Sequence, residues 1–204
     1  RTQTMSSPPE TLTARGEASR QSLIEAGRAE LLETGGTLEV ANVAQRAEVS
    51  AGLLYRYFAG KDGLVAAVVH AFYDSYEAAV FATSLAPDSS WVERERLRLT
   101  REIDFLCDEP LAAVIVGRRL REPAAAQADA ERLASQIDLA ARNVAHGQRA
   151  GEIDSTIDPR LVAAAFMGAF RELMAEALSR DVTPSRASLL DTTWRLGASI
   201  IPGA

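Results

Sequence analysis

The sequence has little sulfur and few aromatic residues, and it lacks a long uninterrupted apolar run. Its single cysteine, Cys107, excludes an internal disulfide, and aromatic residues make up only 6% of the 204 positions. No stretch of 18 or more consecutive apolar residues is present, so we expect no membrane partner and a cytoplasmic location. The two histidines, His70 and His146, lie in separate segments and do not cluster with Cys107, so we expect neither a metal site nor a cofactor.

Positive charge is also scarce. The formal net charge is −6, with 22 basic against 28 acidic residues, which argues against a surface covered by cations. The segment 15–81 has six basic residues, fewer than its acidic ones. Any contact with nucleic acid must therefore depend on a few placed side chains rather than on bulk attraction.

Alanine and leucine are abundant, and proline and glycine divide the chain into about nine helical segments with no persistent period-2 pattern. With 47% hydrophobic residues the chain can form a packed core. We therefore predict an all-α fold. The predicted helices cover approximately 17–34, 39–47, 50–58, 60–82, 90–107, 111–121, 123–150, 159–180 and 184–201.

The second and third predicted helices are joined by a link that is long enough only for a tight turn. Four apolar residues of the second helix share one face at helical spacing, namely Val40, Val43, Ala44 and Ala47. Ser50 suits the cap of the third helix, whose Leu54 and Phe58 face inward. This spacing predicts a helix-turn-helix.

The outer side of the third predicted helix suits the major groove of DNA. Its small residues let the backbone approach base edges, its outer leucine suits a thymine methyl group, and its arginine suits a guanine or a phosphate. Its tyrosines and the lysine that follows suit phosphates. The candidate residues are Ser50, Ala51, Gly52, Leu53, Tyr55, Arg56, Tyr57 and Lys61. The alternatives are an aromatic core stripe and ordinary solvated charges.

Residues 49–58, followed by Lys61 and Leu64, resemble the signature of the tetracycline-repressor (TetR) family of bacterial regulators. The resemblance is close over about 20–69 and beyond that rests on the number and length of the helices. It implies that the two tyrosines and the lysine contact DNA phosphates and that residues 50–53 lie nearest the bases.

One departure from the family concerns the second helix. Many members cap it with serine or threonine, where this chain has Glu39, so Thr37 is an alternative cap. The resemblance also places Thr37 just ahead of this helix, among the DNA-binding residues.

The resemblance implies a division into a flexible extension (1–14), a DNA-binding domain (15–62) and a ligand-binding and dimerisation domain (63–204). It predicts a repressor that binds double-stranded operator DNA as a homodimer and is released by a small hydrophobic or amphipathic effector. The alternative is a helical small-molecule-binding protein or an enzyme without DNA binding. We expect no enzyme, because the sequence has no HExxH, CxxC or glycine-rich phosphate loop and no Ser-His-Asp neighbourhood.

The ligand pocket is expected among the fourth to eighth helices. The apolar candidates singled out for it are Phe72, Tyr76, Phe105, Ile115, Ile137, Phe166 and Phe170, with Trp91, Leu106 and Val114 as further candidates. For most of these residues, plain core is the favoured alternative.

Either Arg118 or Arg119 could turn inward to meet an anionic ligand group, and Arg118 is the candidate chosen for the pocket. The alternative is an exposed basic face of Arg118, Arg119 and Arg121 that pairs with Glu122 or Asp129. The last two apolar helices suggest dimerisation. The residues predicted at that interface are Phe166, Phe170, Leu173, Leu190, Trp194 and Gly197.

Overall fold

The structure, a computed structural model, describes residues 13–81, 89–117, 120 and 122–200, which form nine α-helices and no strand. The helices are α1 (Ala14–Thr34), α2 (Val40–Arg46), α3 (Ala51–Tyr57), α4 (Gly60–Phe81), α5 (Trp91–Asp108), α6 (Ala112–Ile115), α7 (Pro123–Arg149), α8 (Pro159–Ser179) and α9 (Arg186–Ile200). The all-α prediction is confirmed. The predicted helix ends at Ala82 and Ile201, and the extension up to residue 12, lie outside the described residues. Below, residues 13–61 are called the head and the described residues from 62 onward the body.

Local capping sets the ends of α1. The Thr13 hydroxyl accepts a hydrogen bond from the Gly16 amide at 3.2 Å, so the helix begins three residues before the predicted start at Glu17. At the other end Gly35 adopts a left-handed conformation, with φ 68°, and its amide donates to the Leu31 carbonyl. The predicted stop at Gly35 is confirmed.

The predicted helix-turn-helix is also confirmed, in α2 and α3. Glu48 turns the chain with a φ of 54°, and the Val49 amide donates to the Ala44 carbonyl at 3.0 Å. Ser50 caps α3 by accepting from the Leu53 amide at 3.3 Å. Val43 and Leu54 are both fully buried, so the two short helices are held by their apolar faces against the core.

Helix α4 is the central core helix of the molecule. It packs on α1 in the head and on α5 and α7 in the body. Its length and mean hydropathy of 1.2 are sufficient for a membrane span. Many of its apolar side chains, among them Leu64, Val68 and Tyr76, are instead buried against neighbouring helices. The high hydropathy of α4 is therefore that of a core helix.

Helix α6 is much shorter than the predicted segment 111–121, which is a correction. Beyond Ile115 the backbone hydrogen bonds span more residues than the four of an α-helix. The Gly117 amide donates to the Ala112 carbonyl and the Leu120 amide to the Val114 carbonyl. A Cβ on Gly117 would lie 2.2 Å from the Ala113 carbonyl oxygen, so only glycine fits this tight bend. The neighbouring Arg118, Arg119 and Arg121 lie outside the described residues.

A polar network holds α4, α7 and α8 together in the body. Arg171 on α8 donates to the Tyr73 hydroxyl at 2.8 Å and to the Asp129 carboxylate at 2.6 Å. Burial and the nearby Asp129 carboxylate raise the pKa of Tyr73, so its hydroxyl stays protonated and serves as a neutral partner. The network fixes α7 and α8 against α4, and the cavity described below lies beside it.

Candidate nucleic-acid interface and ligand cavity

The outer face of α3 is open to solvent. Tyr55 is 60% exposed, and Arg56 is exposed beside it. Ser50, Ala51 and Gly52, at the beginning of the helix, are exposed as well, and nothing but the Ser50 hydroxyl lies within 4 Å of a Cβ built on Gly52. The structure therefore leaves the first turn of α3 free to approach another surface at backbone distance.

Two of the predicted residues are less accessible. Leu53 and Tyr57 are half-buried, and Tyr57 packs against the core cluster. Each still has part of its side chain in solvent, so both lie at the margin of the exposed face rather than at its centre.

Thr37 is exposed but does not cap α2. Its amide donates to the Thr34 hydroxyl at 3.0 Å, which ties it to the end of α1. The residue at the start of α2 is Glu39, and its side chain makes no capping hydrogen bond. The expectation that Thr37 replaces the missing cap is therefore wrong, because its contacts are with the preceding helix.

Lys61 lies at the start of α4, next to the α3 face. A Cβ on Gly60 would lie 3.6 Å from the Tyr55 ring, so that ring covers the turn into α4. The Lys61 ammonium pairs with the Glu122 carboxylate at 2.8 Å, and this contact raises the pKa of Lys61. The only lysine in the sequence thus joins the head to the residue that directly precedes α7.

The cations of the head differ in whether they already form an ion pair. Arg28 pairs with Glu109 of the body and Arg46 with Glu33, while Arg56 has no ion pair within the described part of the chain. Arg15 and Arg20 of α1 also have no ion pair within that part of the chain, but Arg56 lies on the exposed face of α3 and Lys61 next to it. An outside anion at this face would therefore meet Arg56 directly, and Lys61 in exchange for Glu122.

A cavity of about 290 Å³ lies in the body between α4, α5, α7, α8 and α9. Its walls are largely apolar, and five of the lining side chains are aromatic: Tyr76, Phe81, Trp91, Phe166 and Trp194. Phe81 and Leu139 are each 41% exposed, so the cavity reaches solvent beside them. A concave, aromatic-lined site of this size suits a small organic molecule.

A buried carboxylate, Glu102 of α5, lines this cavity. Only 7% of the residue is exposed, and burial, reinforced by the nearby Glu95 carboxylate, raises the pKa of Glu102 to about 7. Tyr76 of α4 is hydrogen-bonded to it. Arg98 is engaged by Glu95 in an ion pair and lies over the Phe81 ring at 5.7 Å, so among the described residues no cation is paired with Glu102.

Two buried donors of the wall have no hydrogen-bond partner. They are Nε2 of Gln136 on α7 and Nε1 of Trp91 on α5, and the residues are 6% and 4% exposed. Buried donors are almost always satisfied, since leaving one unpaired costs about 1–3 kcal/mol. Both belong to cavity-lining residues, so a bound molecule can supply the missing acceptor.

The predicted pocket residues are divided between the wall and the core. Tyr76, Phe166 and Trp91 line the cavity. Phe72 and Phe105 instead pack behind Tyr76, with the Phe105 ring 5.6 Å from that of Tyr76.

The other predicted pocket residues also lie off the wall. Ile115 and Phe170 are buried in the core, Ile137 is half-buried on α7, and Leu106 and Val114 belong to the core as well. Arg118 lies outside the described residues. The two carboxylates expected to pair with its basic neighbours have other partners, Lys61 for Glu122 and Arg171 for Asp129.

Sequence reasoning missed Glu102, although a signal was present. Leu99, Glu102, Ile103 and Leu106 recur at helical spacing and form the buried stripe of α5. A single acid within an otherwise apolar stripe is rare unless it serves a site or has a partner. Gln136 carries no comparable signal, because the stripe of α7 is built from small residues that do not identify the buried face.

The predicted interface residues lie mostly within the subunit. Phe170 is 2% exposed. A Cβ on Gly197 would lie 3.1 Å from the Phe166 ring, so Gly197 and Phe166 pack on each other. Leu173, Leu190 and Trp194 are half-buried against the core. The exposed apolar positions of α8 are neighbours of this set, Leu161, Ala165 and Gly168.

Comparison with known proteins identifies the head. Residues 23–68 match the sequence profile of the bacterial regulatory proteins, tetR family, and this range includes α2, α3 and the first part of α4. A search of curated proteins with the sequence finds no match.

Solved structures resemble the chain over nearly its whole length at low identity. FadR of Bacillus halodurans, a fatty acid degradation regulator, is 17% identical with a TM-score of 0.72, covering 92% of this chain and 96% of its own. FadR of Bacillus subtilis, solved with stearoyl-CoA, is 19% identical with a TM-score of 0.71, covering 90% and 98%. A TetR-family regulator of Agrobacterium tumefaciens is 15% identical with a TM-score of 0.69, covering 91% and 99%.

At these low identities the structural similarity shows a shared fold. The evidence for the family of the head is the profile match, which covers the helix-turn-helix described above. The turn, the serine cap of α3 and the exposed tyrosine and arginine all lie inside the matched range. Residues 23–68 therefore match the helix-turn-helix domain of the bacterial regulatory proteins of the tetR family, and the rest of the chain shares the fold of solved members.

Proposed function

We propose that this chain is a transcriptional repressor that binds operator DNA as a homodimer and releases it when a small apolar or amphipathic molecule enters the cavity. The observation that carries the proposal is that one rigid helix, α4, has Lys61 at its start and Tyr76 and Phe81 in the cavity wall. At 1.5 Å per residue, Lys61 and Tyr76 are separated by about 22 Å along this helix.

The mechanism follows from differential binding. A ligand that fits one position of α4 better than another stabilises that position, and the movement reaches the head because α4 also packs on α1. In a dimer the two α3 helices must lie about 34 Å apart to enter successive major grooves. A modest displacement of α4 in each subunit alters that separation and weakens DNA binding.

The second copy is proposed to pack on α8 and α9. Leu161 is 70% exposed, and a Cβ on Gly168 would meet nothing within 4 Å. Ala165 lies between them at helical spacing, so the three residues form a smooth exposed strip on α8. Sedimentation at micromolar concentration is expected to give twice the subunit mass. A strictly monomeric chain would contradict this proposal.

The central test is DNA binding by the full chain, followed by fluorescence anisotropy with a labelled duplex from the region upstream of its own gene. Replacing Tyr55 and Lys61 together by alanine removes two proposed phosphate contacts and is expected to weaken binding about a hundredfold and flatten its salt dependence. Arg142→Ala, which removes an exposed charge from α7, is the matched control and should bind as the wild type does.

The competing hypothesis is an enzyme or a carrier that uses only the cavity. It predicts no salt-sensitive DNA affinity for the wild-type chain and, for an enzyme, chemical conversion of a bound compound. Mass spectrometry of the compound after incubation, run beside the DNA titration, separates the two hypotheses. Conversion without DNA binding would contradict the proposed repressor.

A further inference from the structure

We infer that the cavity selects an organic cation with an aromatic or apolar body and a hydrogen-bond acceptor, the cationic group meeting Glu102 and the acceptor meeting one of the unpaired donors of Gln136 and Trp91. This inference rests on the proposed function, because it names the chemical class of the effector.

The charge balance of the wall favours a cation. Its titratable side chains are Tyr76 on α4 and Glu95, Arg98 and Glu102 on α5, while the wall residues of α7, α8 and α9 contribute none. Arg98 forms its ion pair with Glu95 and attracts Glu102 only at longer range, so Glu102, which is partly ionised at neutral pH, has no ion-pair partner among the described residues. An entering cation restores the balance, whereas an entering carboxylate would face Glu102 without a free arginine.

The aromatic walls favour the same class of ligand. Five aromatic rings surround the cavity, and the Trp194 and Phe81 rings already have an arginine over them, Arg96 and Arg98. The rings of Tyr76, Trp91 and Phe166 have no such cation among the described residues, and aromatic faces attract cations most strongly where water is excluded. The apolar remainder of the wall, including Leu99, Val144 and Met167, suits the hydrocarbon part of such a molecule.

The unpaired donors define the second feature of the ligand. Both Gln136 Nε2 and Trp91 Nε1 can only donate, so a ligand group that pairs with either must be an acceptor such as an ether, carbonyl or hydroxyl oxygen. Trp91 lies beside Gly147, about 16 Å along α7 from Gln136, so one acceptor reaches only one of the two donors. A hydrocarbon of the same size would leave both donors unpaired and bind less tightly.

The test uses three probes that share one aryl ether and differ only in charge: phenoxyethylamine, phenoxyethanol and phenoxyacetate. The sequence has two tryptophans, Trp91 and Trp194, and both line the cavity, so intrinsic fluorescence reports binding there. The amine is expected to bind on the order of tenfold more tightly than phenoxyacetate, with the alcohol between them.

Glu102→Gln, which keeps the size of the side chain, should remove the preference for the amine and leave phenoxyethanol unchanged. Glu131→Gln, the same change at an exposed position of α7 that accepts a hydrogen bond from Gln127, is the matched control and should keep the preference. Equal affinities, tightest binding of phenoxyacetate, absence of binding by all three probes, or an amine preference that survives in Glu102→Gln would each overturn the inference.

A second measurement needs no variant. The affinity of the wild type for phenoxyethylamine should rise between pH 6 and pH 8, as Glu102 loses its proton around pH 7, while the alkyl ammonium stays charged. The affinity for phenoxyethanol should stay constant, and a flat profile for the amine would overturn the inference. DNA affinity is measured in parallel, so that failure of the proposed function, no DNA binding, is distinguished from failure of the charge preference.

Discussion

The head and the body each present a candidate site, and the two sites are built in opposite ways. The α3 face is an outer surface whose residues follow one another along seven positions and are placed by one cap, one turn and one buried leucine. The cavity is an inner surface whose wall comes from five helices, with Tyr76 and Trp194 more than a hundred residues apart. A site of the first kind depends on local structure, and one of the second kind depends on how helices pack.

Removing the buried anchor of the head is expected to have the largest effect on one site alone. Leu54 is fully buried and takes no part in the cavity wall, so Leu54→Ala should lower the free energy of unfolding by about 2–5 kcal/mol. We expect DNA binding to be lost and probe binding at Trp91 and Trp194 to persist. Denaturant titration followed by circular dichroism and by tryptophan fluorescence measures both regions. Loss of both sites together would show that head and body do not respond separately.

The body can be tested in the same way through the pH dependence of its stability. The pKa of Glu102 is raised from 4.5 to about 7, so the folded state keeps this proton after the unfolded chain has released it. The group therefore destabilises the fold progressively from pH 4.5 to pH 7, by about 3 kcal/mol. The free energy of unfolding of the wild type should fall relative to that of Glu102→Gln over this window.

Glu131→Gln again serves as the control for that measurement and should run parallel to the wild type at every pH. A constant difference between the wild type and Glu102→Gln would contradict the burial of an ionisable group in the cavity wall.

The smallest expected effect concerns the contact that joins the two regions. Glu122→Gln removes the ion pair of the Lys61 ammonium. Lys61 then no longer has to leave the Glu122 carboxylate in order to bind a DNA phosphate, so the affinity for DNA should rise roughly two- to fivefold. The same change should lower the pKa of Lys61 toward its usual value, since Glu122 is what raises it. Faster acylation of Lys61, followed by peptide mass spectrometry, checks the second effect directly.

That measurement is unusually clean because no other lysine is present in the sequence. Glu131→Gln should leave both the acylation rate and DNA affinity unchanged. If Glu122→Gln weakened DNA binding instead, Glu122 would act by holding Lys61 in position for the phosphate rather than by competing for it.

The sequence by itself determined the helices, most of their ends and the exposed face of α3. Thr13, Gly35, Ser50 and Asp158 act on amides or carbonyls within a few residues, so their effect does not depend on the rest of the fold. Helical spacing likewise placed Leu54 inward and Tyr55 outward.

Only the tertiary structure decided which residues surround the cavity and which partner each charge finds. The segment 111–121 has the composition of a helix, but the close approach at Gly117 ends α6 after Ile115. Lys61 meets Glu122, and Glu102 becomes buried, because helices distant in sequence pack side by side. Spacing along one helix specifies a face, but it does not specify what that face will meet.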